Sequence, residues 1–207
     1  MGESAEIDTR TLALELSQRK DLVRSDGWLE PEVFGLRSLL GPMPTADGIP
    51  LRRRSRDWRT EIGLIRRNTG PYTGKLCFIG GAVLLNESLE QALRRHFMTD
   101  LNARIELFDP SGWERPFRVW PYYSSNQSIG QESLHNPTRH CVSSTFLVRI
   151  LNEKEMAFGS TEVGGQEARE FQWFSFNALP TDEELSYGIT RTMLKQVIVA
   201  ASEIDLE

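Results

Sequence analysis

Cysteine is nearly absent: Cys77 and Cys141 are the only two in 207 residues. A disulfide-stapled secreted scaffold needs more, and neither cysteine has a partner at metal-binding spacing. Each sits in a short apolar run, so both are expected as reduced core thiols of a cytoplasmic protein. Long apolar runs are missing as well. None approaches the roughly 20 residues that cross a bilayer, so no membrane partner is expected. The opening residues, MGESAEIDTR, are acidic and polar and lack the hydrophobic centre of a signal peptide. Cations do not outnumber anions: 24 Lys and Arg stand against 29 Asp and Glu, a net charge of −5. Nonspecific nucleic-acid binding needs a cation excess to displace counterions from phosphates, so nucleic acid is not an expected partner. Histidine is scarce too. His96, His135 and His140 are the only three, which leaves few candidates for an imidazole base.

What the chain does contain suffices for a packed core, with 39% hydrophobic against 26% charged residues, and its length suits one domain with additions. Residues 9–24 carry Leu12, Leu14, Leu16, Leu22 and Val23 among polar neighbours, with Asp8 or Thr9 as N-cap, and read as an amphipathic helix. After a break at Asp26-Gly27, Glu30-Pro31 opens a second helix that runs to Leu40 and ends at Gly41-Pro42. Thr45 to Asp57 contains Gly48, Pro50 and Arg52-Arg53-Arg54 and reads as loop or edge strand. Residues 1–56 are therefore expected to form a helical extension on a domain spanning residues 57–207. Such short segments cannot bury their apolar faces alone, so the extension should pack on that domain or on a second subunit, and a homodimer is the expected assembly.

Beyond Trp58 the rhythm changes. Glu61–Arg66 and Leu76–Ile79 are short apolar runs of strand type. Glu87 to Leu101 reads as a helix with Leu89, Ala92, Leu93, Phe97 and Leu101 near one face. Strands are expected at Arg104–Phe108, Phe117–Tyr122, Cys141–Leu151 and Glu170–Phe174, with a Ser/Asn/Gln/Gly-rich functional loop from Ser124 to Asn136. A closing helix is expected from Asp182 to Ser202. The order implies an α/β/α sandwich, a mixed sheet between helical layers.

One segment carries chemistry: Gly80 to Ala103, GGAVLLNESLEQALRRHFMTDLNA. Two glycines leave a strand, Glu87 follows six residues after the second, and Arg95 follows eight residues later. This resembles the box of Nudix hydrolases, with Gly81, Glu87 and Arg95 on its first anchors and Phe97 at its apolar position. The likeness extends to the strand before the box and to the closing segment QEAREFQWFSFNAL, Gln166–Leu179. It implies a Nudix α/β/α sandwich, hydrolysis of a nucleoside-diphosphate-linked small molecule, and Mg²⁺ as cofactor. In that chemistry glycines let the backbone approach a diphosphate, and helix carboxylates gather the cation that polarises it.

The box departs from its pattern at the acids. His96 stands where a glutamate is usual, Thr99 and Asp100 replace a glutamate pair, and Asn102 replaces a glycine. The run Arg95 to Asn102 is similar to that of GDP-mannose mannosyl hydrolases, which keep only the last acid and cleave a sugar C1–O bond. That resemblance implies metal ligands at Gly81, Asp100 and Glu167, and diphosphate contacts from Gly80, Gly81 and Arg95. Their histidine base maps onto Ala168, so His140, which opens a strand after the long loop, or His96 is the candidate base, with Arg95 beside them as a catalytic candidate. Tyr123 is a candidate to stack on the sugar or base. Trp28-Leu29-Glu30-Pro31-Glu32 loosely matches a segment of little-characterised bacterial Nudix-like proteins. Against the hydrolase stands a second reading: a degenerate Nudix domain that binds a nucleotide or protein without turnover, or uses the fold for other chemistry.

Overall fold

The computed structural model describes residues 19, 22–25, 27–53, 59–108, 115–123, 134–137, 139–157 and 168–202. Its organising element is β1 (Met43–Arg53), most of which is buried. Along one side β1 pairs in parallel with β8 (Cys141–Ile150), Met43 to Pro50 against Cys141 to Val148. Along the other it pairs antiparallel first with β4 (Ile79–Ala82) and then with β2 (Thr60–Arg67). The reading of Thr45–Asp57 as loop or edge strand is therefore corrected over Thr45–Arg53, which pairs with strands of the following domain although it was expected within the N-terminal extension. Prolines argue against central strands because they cannot donate to a ladder. Here Pro44 precedes the register with β4, and Pro50 falls in the gap where β4 gives way to β2.

The remaining strands extend this frame. β3 (Leu76–Cys77) and β9 (Ala168–Ser175) pair with β2, while β5 (Ile105–Leu107) and β6 (Arg118–Tyr123) pair with β8. The short β7 (Leu134–His135) lies parallel to β6. One parallel pair at the centre of an otherwise mostly antiparallel set makes the sheet mixed, as expected.

Helix α1 (Pro31–Leu40) starts with proline in its first turn and ends at Gly41, matching its sequence signals. The expected helix over residues 9–24 lies outside the described residues apart from its last few. There Val23 bridges Leu29 and the Arg24 N–H donates to the Trp28 carbonyl, closing a turn around Gly27. Helix α2 (Leu89–Leu101) begins at Ser88, whose hydroxyl accepts from the Gln91 N–H while the Gln91 side chain accepts from the Ser88 N–H. Its buried Ala92, Leu93, Phe97 and Leu101 recur at the helical period. Asn102 ends it at φ 50°, so the usual glycine of the motif is replaced by the other residue that tolerates the left-handed region. Phe97 and Leu93 seat directly on Gly48 of β1: a methyl group there would come within 2.6 Å of the Phe97 ring.

The closing helix α3 covers only Arg191–Ser202, where Leu194, Val197, Ile198 and Ala201 are buried. Residues 182–190, expected as its first turns, form a 3₁₀ turn and an irregular link with Tyr187 and Gly188 at positive φ. The helix waits until Thr190, whose hydroxyl accepts from the Met193 N–H, and Asp182 accepts from the Arg191 N–H. The delay matters because it lets Tyr187 point into the site described below.

Because β1 supplies the partner of three other strands, removing residues 1–56 should abolish folding rather than trim an appendage. The truncated chain is expected to lack cooperative thermal unfolding and a native circular-dichroism spectrum. A soluble, cooperatively melting truncation would refute the central role of β1.

Candidate functional site

The segment between β4 and α2 is folded back by one ion pair. The Arg95 guanidinium donates from Nε to Glu87 Oε1 at 2.7 Å and from Nη2 to Glu87 Oε2 at 2.8 Å. The same Nη2 reaches the Ala82 carbonyl at 2.9 Å, and Glu87 also accepts from the Leu84 N–H at 2.9 Å. Glu87 thus lies before the helix and clamps its approach, instead of occupying its first turn. Burial raises the pKa of the Glu87 carboxyl, but hydrogen bonds from Arg95 and Leu84, with the charges of Arg95 and His96, outweigh this and keep it below the ordinary value.

This clamp leaves His96, the next residue, facing inward. Its Nε2 donates to the Ala82 carbonyl at 3.2 Å, and its ring fills the space above Gly81, where a Cβ would come within 2.8 Å of Cε1. Gly80 does the same for a second side chain. It pairs with Asp47 across the β1–β4 ladder at φ +155°, and a Cβ there would lie 2.1 Å from the Ala46 carbonyl and 2.5 Å from an Asp47 carboxylate oxygen. The double glycine therefore makes room for Asp47 and His96. The Asp47 carboxylate accepts a hydrogen bond from the Ser143 hydroxyl on β8.

Asp47, His96, Gly80 and Gly81 line one cavity of about 370 Å³. That volume falls in the range of small-molecule sites. Arg67 forms another part of its wall, held by the Pro71 carbonyl at 3.1 Å and the Thr69 carbonyl at 3.3 Å, with the Tyr187 ring 5.2 Å away. Tyr187 stands edge-on to Tyr72 and Tyr122. Burial pushes the Tyr122 hydroxyl well above its usual pKa, with Asp47 adding to the shift, so it stays neutral. Cys77 and Cys141 are buried at the same cavity and not joined in a disulfide, as the sequence implies. Burial pushes the Cys141 thiol up to about 11, opposed by the charge of Arg139 and reinforced by that of Asp47.

Of the candidates read from sequence, the structure brings Gly80, Gly81 and His96 to the cavity. Arg95 is not in its wall, because its guanidinium is committed to Glu87 and Ala82. His140 is not there either: its ring stacks on Tyr123 at 5.1 Å. Tyr123 is one residue out of phase with Tyr122, and adjacent strand residues point to opposite faces. The cavity takes Tyr122.

Asp100 is buried at 3% exposure but does not line the cavity, and Glu167 lies outside the described residues. Among the described residues no three His, Cys, Asp or Glu side chains gather as a metal site. Among the described residues the cavity is lined by one carboxylate and one imidazole, a set that by itself does not fit Mg²⁺, which favours oxygen ligands in near-octahedral geometry. Sequence reasoning missed Asp47, Arg67, Arg139 and Tyr187. Asp47 had a signal, a lone acid amid buried strand residues, but it was hidden by the reading of that stretch as a loop.

Solved structures share this architecture. A Jonesia denitrificans protein described as a possible asymmetric diadenosine tetraphosphate hydrolase superposes with a TM-score of 0.59 at 22% identity, over 80% of this chain and 98% of its own. A Nudix-family hydrolase from Clostridium perfringens gives 0.55 at 14% identity, over 77% and 98%. A Caenorhabditis elegans Ap4A hydrolase gives 0.53 at 12% identity, over 77% and 96%. These likenesses establish the fold as that of Nudix hydrolases, with the expected α/β/α sandwich. No curated protein matches the sequence. The chain belongs to the family described as a domain of unknown function, DUF4916, whose model matches residues 24–202.

Two measurements check this geometry. A folded pKa below the unfolded one gives stability that is present above the unfolded value and lost as pH falls through the folded one. Glu87→Gln should therefore melt lower than the wild type at neutral pH, by about 1–3 kcal/mol of stability. The gap should close as pH drops below the ordinary carboxylate value of 4.5. A gap that does not change with pH would remove the ion pair as its cause. Separately, neither thiol should react with an aromatic disulfide reagent in the folded protein near neutral pH, and both should react after denaturation.

Proposed function

We propose that the cavity beside Gly80 and Gly81 receives the diphosphate of a nucleoside-diphosphate-linked molecule, a nucleotide sugar above all, and that the chain hydrolyses it. One observation carries the reading: a single cavity combines the box glycines with the cations Arg67 and Arg139, the carboxylate of Asp47 and the imidazole of His96. The guanidinium groups offset the charge of a diphosphate and of the leaving group as it departs. Asp47, oriented by the Ser143 hydroxyl, takes the proton of the attacking water. The water oxygen bonds to the sugar carbon, the C1–O bond breaks, and the diphosphate leaves with the electron pair. Attack at carbon is preferred because the box keeps only the last of its acids after Arg95, Asp100, as the mannosyl hydrolases do. The buried thiols support a cytoplasmic location, and a homodimer, checked by mass in solution, is the assembly proposed.

The test is a panel of nucleotide sugars and dinucleotides in ¹⁸O-water, with and without Mg²⁺. Label is expected in the sugar, and label found only in phosphate would overturn attack at carbon. Asp47→Asn should lower kcat by about a hundredfold or more. His96→Gln should lower it less, and His140→Ala should leave it near the wild-type value. Of the two candidate histidines, His96 lines the cavity and His140 does not. Full activity in Asp47→Asn would remove Asp47 as the base.

A second reading, ligand binding without turnover, is favoured by the engagement of Arg95 with Glu87 and by His96 and Thr99 at acid positions of the box. Under it, nucleotides raise the melting temperature while no product forms from any panel member.

A further inference from the structure

We infer that the segment preceding the sheet, residues 27–40, together with the turn at Asn136–Arg139, forms a nucleobase-binding wall of this cavity; the inference rests on the diphosphate reading above. Trp28 and Phe34 belong to the N-terminal segment, yet both line the cavity that contains Gly80 and Gly81. Their rings stand 5.9 Å apart at 57°, presenting aromatic surface on one side of it.

The wall is built into the fold rather than laid over it. Trp28 sits in a closed turn, with Arg24 N–H donating to the Trp28 carbonyl at 2.7 Å and Glu30 N–H to the Leu22 carbonyl at 3.0 Å. Gly27, at φ +82°, lies against Leu84 of the segment that Glu87 and Arg95 hold. The Arg95 guanidinium, itself outside the cavity wall, lies 5.7 Å from the Trp28 ring. The clamp of the box helix thus also fixes the indole.

Polar groups flank the aromatic surface. Arg139 lies 5.2 Å over the Phe34 ring and lines the cavity, as does Asn136. The two share a turn, with Arg139 N–H donating to the Asn136 carbonyl, and the Asn136 N–H ties the turn to Tyr123 at 3.0 Å. A planar heterocycle is the ligand chemistry that uses all of these. Its face stacks on an indole or phenyl ring, and its edge pairs with an amide that both donates and accepts and with a guanidinium fork. The remaining lining, with Gly80, Gly81, His96 and Arg67, then takes the phosphates.

Calorimetric titration of the full chain with the common nucleoside diphosphates, and with inorganic pyrophosphate as the baseless control, tests the inference. At least one nucleoside diphosphate should bind about tenfold or more tightly than pyrophosphate. Trp28→Ala and Phe34→Ala should remove that advantage while pyrophosphate affinity stays, and Trp28→Phe should keep most of it. If an aromatic variant fails to fold, Asn136→Ala should still reduce nucleoside diphosphate affinity selectively. Equal affinity for pyrophosphate and every nucleoside diphosphate would overturn the base wall and leave the diphosphate reading standing. Unchanged nucleotide affinity in the aromatic and polar variants would also overturn it. Failure of both probes to bind would overturn the diphosphate reading itself.

Discussion

Three acceptors converge on the guanidinium of Arg95: both oxygens of Glu87 and the carbonyl of Ala82. A fork of donors meeting a planar carboxylate fixes geometry as well as charge, which a lysine in the same place would not do. The pair folds residues 82–88 back onto the helix that follows and leaves that helix in one orientation over β1. From this orientation the rest of the site follows. His96 falls above Gly81, Phe97 falls into the hollow left by Gly48, and Trp28 packs beside the arginine. A motif residue that would serve a diphosphate directly is used here to assemble the walls around the place where one would lie.

The second constraint is the central strand. β1 carries Asp47 to the edge of Gly80 and passes between β8 on one side and β4 with β2 on the other. Its glycine and prolines look like marks of a loop, but each has a place in the sheet. Gly48 takes the Phe97 ring, and the two prolines stand outside the antiparallel registers. Because the strand is buried, the Asp47 carboxylate is oriented by Ser143 of the parallel neighbour, so its direction is set before any ligand arrives.

The chemistry of the cavity differs accordingly from that implied by the box. Clustered helix acids would gather a cation; this helix contributes an imidazole to the cavity and buries its surviving acid, Asp100. Positive charge at the cavity comes instead from arginines on other elements, Arg67 at the end of β2 and Arg139 before β8, and aromatic surface comes from the N-terminal segment.

The sequence by itself determined what depends on neighbours along the chain. The Leu and Phe spacing of α2, the proline start of α1, most strands and the pairing of Gly81, Glu87 and Arg95 in a Nudix-like box were all legible, because helical period and motif spacing are local properties. Two reduced thiols in apolar strands were legible for the same reason. Only the tertiary structure decided that Met43–Arg53 is a central strand, that α3 starts at Arg191, and that the cavity takes Asp47 and Tyr122 beside His96 but not Arg95, Tyr123 or His140. Those outcomes depend on which strands pair, in what register, and hence to which face each side chain turns. A shift of one residue reverses every face of a strand, and no local pattern fixes the partner that sets the register.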